Sequence, residues 1–210
     1  MKNEELWNIA AGILILFVVI SLGFVFAGEF SMLGETIVFS VVVVGVSVLM
    51  KKWAASILDC DVEHRIWNFY RFGFIEHWHF KKERPFGIFA PLFLSVISLG
   101  WIKFMGILTY ETRALKRRAA KRWGPYSYSE MTDWHNGLIG AAGIIGMFVL
   151  VVVSYFIGFE YLAKVAAYYA FWNMLPISNY DGTQIFFGSR IIWVVLMVIS
   201  LVFAGYGLVL

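Results

Sequence analysis

The residues best suited to chemistry lie in one stretch, Phe171-Trp172-Asn173-Met174-Leu175-Pro176-Ile177-Ser178-Asn179-Tyr180-Asp181-Gly182-Thr183-Gln184. An apolar run breaks at Pro176, and the carboxylate of Asp181 follows beside Gly182, a residue free to take positive φ. A carboxylate at the end of a broken membrane helix points to a functional site; the plainer alternative is a juxtamembrane turn whose aspartate faces water. The other candidate ligands are scattered. Histidines occur at 64, 77, 79 and 135, and none belongs to a His-Glu-x-x-His motif. As a strand, Glu76-His77-Trp78-His79 would put two imidazoles on one face, with Asp59, Cys60, Asp61 and His135 as further donors. These residues follow no zinc-ligand spacing, and side chains beside a basic, aromatic segment suit an interface better than a metal. The single cysteine, Cys60, rules out an intrachain disulfide.

The elements that must position Asp181 are hydrophobic. Of 210 residues, 60% are hydrophobic and 15% charged, which excludes an ordinary soluble domain. A helix needs roughly 20 apolar residues to cross a bilayer. Trp7 to Ala27, Gly137 to Phe159 and Ile191 to Leu210 contain no Asp, Lys or Arg and show no polar face at helical period. Thr36 to Met50 continues through Trp53 to Leu58, with Lys51 and Lys52 placed to snorkel. Tyr161 to Pro176 carries Lys164 and ends at proline. The sequence therefore predicts an all-α polytopic membrane protein with five to six transmembrane helices. The first span reads as a retained anchor, because its apolar run is longer than a signal-peptide core and its flank holds one lysine and two glutamates. The division is 1–35, an anchor span and short outer loop, and 36–210, a membrane core.

Lysine and arginine set orientation. The segment from Lys51 to Pro85 has seven and that from Glu111 to Asn136 has six, so region 51–136 is expected on the cytoplasmic side. The hydrophobic stretch Phe86 to Tyr110 between them then has to enter and leave on one face, as a re-entrant hairpin, and Pro91, Gly100, Lys103 and Gly106 suit such a break. An ordinary sixth span that violates the charge rule is the alternative. Glu111 to Arg122 is expected to be helical and to lie on the anionic inner leaflet through Arg113 to Arg122. A membrane protein with that anionic neighbour needs no nucleic acid to explain the charge. Tryptophans near segment ends fit an interfacial belt.

Asn173, Pro176, Asp181 and Gly182 match the pattern Asn-x-x-Pro-x-x-x-x-Asp-Gly, which resembles the second signature of the site-2 protease family of intramembrane zinc metalloproteases. Phe171-Trp172 and Gly188-Ser189-Arg190 resemble archaeal members, implying the plasma membrane of a prokaryote. The resemblance runs over about 36 to 210, and only the block from Asn173 to Gly182 is specific. Val62 to Trp67 resembles the segment after the family's zinc-binding helix. His135 to Gly143 resembles the start of the next span, with Ile144 where members carry proline; Gly140, Ala142, Gly143 and Gly146 still permit close helix packing. The resemblance makes Asp181 the third-ligand position. By the family's spacing the missing first signature falls on Ser47-Val48-Leu49-Met50-Lys51, where nothing can serve as a neutral nitrogen ligand or a general base.

Lys51, or Lys52 one residue on, is thus expected to replace the metal by pairing with Asp181. The implied function is a degenerate, non-cleaving homologue with no cofactor, whose groove at Asn173, Pro176, Asp181 and Gly182 holds a membrane segment of a partner protein. An unusual active zinc metallopeptidase, and a small transport or scaffold protein, are the alternatives.

Overall fold

The computed structural model describes residues 3–69, 84–115 and 131–209. The long apolar runs form the expected helices: α1 (Asn3–Ala27), α2 (Leu33–Ile57), α4 (Asp133–Ile157), α5 (Glu160–Met174) and α7 (Arg190–Val209). Two shorter helices are α3 (Phe86–Ile97) and α6 (Asp181–Gly188). Of these, α1, α2, α4 and α7 are long and apolar enough to cross a membrane, so the chain is a helical membrane protein. α5 has 15 residues and is shorter than a usual span. Large apolar side chains such as Phe156, Val195 and Val202 stand exposed on α4 and α7, as lipid-facing surfaces require.

The fold is not purely α-helical. Strands β1 (Cys60–Ile66) and β2 (Leu108–Ala114) pair antiparallel, with Cys60 opposite Ala114 and Ile66 opposite Leu108. This corrects two expectations. Residues Glu111 to Ala114, read as the start of a basic helix, are strand, because pairing with β1 overrides their helix propensity. Leu108 to Tyr110, assigned to the hydrophobic hairpin, belong to the same strand. The remainder of the basic run, at 116–122, lies outside the described residues, as do His77 and His79.

The stretch from Phe86 to Ile107 leaves the sheet and returns to it. The Gly87 N–H donates to the Trp67 carbonyl at 2.8 Å, and the Trp67 N–H donates to the Ile107 carbonyl at 2.9 Å. Between these points α3 runs out to a tip at Leu99-Gly100, both at positive φ, and a non-helical arm leads back. A side chain at Gly100 would meet the backbone of Gly23 on α1 at 2.5 Å, so the tip is pressed on α1 about one turn from its end. Along the arm, Phe104, Met105 and Ile107 are buried. This non-helical backbone is packed on protein along Phe104 to Leu108, where the side chains are buried.

The helix ends sort into two groups. At the sheet end lie the start of α1, the end of α2, the start of α4, the end of α5 and all of α6, joined by contacts such as Glu5 with Lys52 and Gly137 with Gly188. At the far end, Gly158 in left-handed conformation (φ 94°) turns α4 into α5, Tyr155 meets Tyr206 at 3.4 Å, and Lys103 meets Tyr161. The core between them gathers Leu16, Val43, Ile144, Met147, Ala166 and Met174. α4 packs through a row of glycines: a side chain at Gly137 would meet α6, at Gly143 the Lys51 side chain and at Gly146 Met50. Gly140, Gly143 and Gly146 thus permit the close approach expected of them, while Ala142 packs towards the cluster of Ala54, Ala55, Val62 and Tyr110.

Candidate functional site

Most residues of the Asn173 to Gly182 block shape one tight turn. Leu175 leaves the helical region (ψ 134°) before Pro176, and Ser178 at φ 51° reverses the chain. α6 then starts at Asp181. Its first turn presses on the end of α5 so tightly that a side chain at Gly182 would lie 2.0 Å from the Met174 carbonyl oxygen. Only glycine fits there. Asn173 is wholly buried; its Nδ2 donates to the Tyr169 carbonyl at 2.8 Å, and its Oδ1 has no hydrogen-bond partner among the described residues. The Tyr180 hydroxyl donates to the Gly106 carbonyl at 2.9 Å, tying this turn to the return arm.

Asp181 is also fully buried and faces α2, where Lys51 Nζ lies 2.6 Å from Asp181 Oδ2. The side chains are 2% and 1% exposed, so water screens neither charge. The structure thus brings together the two residues expected to pair, and Lys52 points elsewhere. Asp181 Oδ1 has no hydrogen-bond partner among the described residues. Lys51 Nζ stands 5.0 Å from the centre of the Tyr110 ring, which adds a cation–π contact, and Gly143 makes room for the lysine stem. Ser47, one turn earlier on α2, is likewise buried on this face. Burial, and then Asp181, push the Tyr110 phenol well above its ordinary pKa, so it stays a neutral donor, bonded to the Asn136 carbonyl at 2.6 Å.

A second charged group sits beside this pair. Glu5 Oε1 on α1 lies 2.8 Å from Lys52 Nζ and 3.2 Å from His64 Nδ1, and accepts the His64 N–H at 3.4 Å. Burial, followed by the nearby Lys51 charge, pushes the His64 imidazole down to about 3, against a raising contribution from Glu5. His64 is therefore neutral at physiological pH. Its Nε2 is buried without a hydrogen-bond partner among the described residues. The sequence reading passed over Glu5, Tyr110 and Tyr169. The signal for Glu5 was a carboxylate in the first turn of an otherwise apolar span; an isolated tyrosine in such a chain carries none.

The side chains around Asp181 do not fit zinc. Lys51 as an ammonium has no lone pair to give, Ser47 is a weak donor, and one carboxylate falls short of the three protein ligands that catalytic zinc takes. No group of three His, Cys, Asp or Glu that could hold a metal occurs among the described residues. The other donors are apart: the Cys60 thiol donates to the Ala55 carbonyl, Asp61 caps its own strand at Val62, and His135 Nδ1 meets the Thr132 hydroxyl at the start of α4. No family model, curated protein or solved structure matches the chain.

One accessible polar surface adjoins the buried pair. The register sets the N–H and C=O of Thr109, Glu111 and Arg113 towards β1, since the flanking bonds fall at Ile107 and Leu115. Those of Leu108, Tyr110, Thr112 and Ala114 therefore point away from it. On the β1 side the equivalent groups of His64 are taken by Glu5 and Asn8 of α1. Beside the outer edge of β2 lies a cavity of about 330 Å³ lined by Tyr110, Thr112, Arg113, Asn136, Asn179 and Gln184.

Proposed function

We propose that this chain is a catalytically degenerate relative of the intramembrane site-2 metalloproteases, which binds a membrane segment of a partner protein without cutting it. The observation that carries the reading is Lys51 Nζ at 2.6 Å from Asp181 Oδ2 in full burial. By the resemblance, Ser47 and Lys51 stand at the two histidine positions, Val48 at the general base and Asp181 at the third ligand. An ammonium then does the electrostatic work of a metal, neutralising a buried carboxylate, while supplying neither a Lewis acid nor an activated water. Peptide hydrolysis has no base and no electrophile in this arrangement.

Binding has a place. The edge of β2 turned away from β1 pairs with no strand among the described residues, and the cavity between it and Asn179 and Gln184 has room for side chains of an extended segment. Edge-strand addition uses such features. Asn173, Pro176 and Gly182 set the opposite wall by shaping the turn that carries Asn179. In this reading α5 also crosses the bilayer, giving five spans, and Phe86 to Ile107 is the re-entrant hairpin. The sheet end is cytoplasmic, in the plasma membrane of a prokaryote, and the basic stretch Arg113 to Arg122 faces anionic lipid.

Rebuilding the missing signature tests this. The combined substitution Ser47→His, Val48→Glu and Lys51→His, with Asp181 kept, is expected to bind zinc stoichiometrically, measured on purified protein by plasma mass spectrometry. Adding Asp181→Ala should abolish that binding. A well-folded triple variant that takes up no more zinc than the natural chain would sink the proposal.

A further inference from the structure

A cavity of about 390 Å³ opens sideways between the hairpin tip, α5 and α7, towards the far end of the molecule. Its floor is Tyr168, Phe171 and Trp172 of α5, with the Phe104 ring of the return arm tilted against Trp172, ring centres 4.6 Å apart. Leu201 and Gly205 of α7 form one wall, and Trp101 and Lys103 of the hairpin form the other. Trp101 is 92% exposed, as an interfacial tryptophan would be.

Lys103 gives the cavity its polarity. Its ammonium donates to the Tyr161 hydroxyl at 3.3 Å and lies over the Tyr161 ring, yet no carboxylate among the described residues comes within ion-pair distance of it. Gly23, about one turn from the end of α1, has the Lys103 stem 3.6 Å from where a side chain would begin, which places the charge near the far end of that span. Lys164, one turn along α5 from Tyr161, adds a second cation at this end, beside Glu160. An aromatic trough open to the membrane, closed at one end by an unneutralised ammonium, matches a molecule with an acyl chain and a phosphate. The space is of small-molecule size, and a partner helix, about 10 Å across, does not fit it.

We infer that this trough is a phospholipid site of the leaflet away from the sheet, with the phosphate on Lys103 and an acyl chain along Tyr168, Phe171 and Trp172. The inference is independent of the protease reading, since no residue is shared with the Lys51–Asp181 pair. The test is native mass spectrometry of the full chain in detergent, titrated with phosphatidylglycerol or with diacylglycerol of the same acyl chains. The natural chain should retain one phosphatidylglycerol and bind diacylglycerol more weakly. Lys103→Gln should weaken phosphatidylglycerol about fivefold, towards the diacylglycerol level. Gly205→Phe should displace both lipids; a side chain at Gly205 meets nothing within 4 Å, so the fold tolerates it and the ring fills the trough. Equal affinity for the two lipids, or unchanged phosphatidylglycerol binding in either variant, would overturn the inference.

Discussion

Lys51 and Lys52 are neighbours of one type on one helix, and the structure uses them in opposite ways. Lys51 is sealed against Asp181 of α6, its side chain 2% exposed. Lys52, turned about 100° round α2, holds Glu5 of α1 at 2.8 Å with its side chain 27% exposed. The first pair joins the two halves of the candidate site in a dry environment. In the second only the lysine reaches water; the Glu5 side chain is 5% exposed. A buried pair costs more to make than it returns, but once made it cannot be half removed. The second pair is less constrained, because Lys52 can turn to water although Glu5 cannot.

The sharpest way to break this comparison is to delete one charge from each pair. Asp181→Ala leaves the Lys51 ammonium buried alone and should destabilise the fold by about 3–5 kcal/mol, read from equilibrium unfolding in mixed micelles. Lys51→Met with Asp181→Leu should recover most of that loss, because an apolar pair of similar volume carries no desolvation cost. If the single and double variants are equally unstable, the pair is not the obligate unit described.

A pH-dependent effect separates His64 from ordinary histidines. The folded chain keeps its imidazole neutral down to about 3, whereas the unfolded chain takes up the proton near 6.5. Between these values the unfolded state binds more protons, so stability is complete above about 6.5 and falls as the pH drops towards 3. The slope should approach at most about 1.4 kcal/mol per pH unit, and His64→Gln should flatten it. An unchanged pH profile in that variant would contradict the burial assigned to His64. Lys52→Met is expected to cost less than Asp181→Ala, about 1–3 kcal/mol, because it leaves the Glu5 carboxylate, 5% exposed, with the neutral His64 alone. A loss as large as that of Asp181→Ala would erase the distinction between the two lysines.

The sequence carried these features unequally. α1, α2, α4 and α7 were legible because a bilayer demands long uninterrupted apolar runs, and little else produces them. Lys51 and Asp181 could be matched because the Asn173 to Gly182 block resembles a known signature whose other half has a fixed spacing. The sheet was hidden. Arg65 pairs with Thr109 and Glu63 with Glu111 across more than forty residues, and helix-forming residues at Glu111 to Ala114 argued against a strand locally. Long-range pairing leaves no local period to read. The Glu5 and His64 contact was hidden for the same reason: 59 residues separate its partners, and neither belongs to a motif.

The hydrogen bond from the Tyr180 hydroxyl to the Gly106 carbonyl spans 74 residues, and this bears on how the molecule is made. The return arm of the hairpin is synthesised long before Tyr180. Until the turn after α5 emerges, the Gly106 carbonyl lacks its final partner, and a non-helical segment with open backbone groups cannot rest in hydrocarbon. On the re-entrant reading of Phe86 to Ile107, the hairpin would wait at the surface and settle between α1 and α5 once the turn after α5 supplies Tyr180.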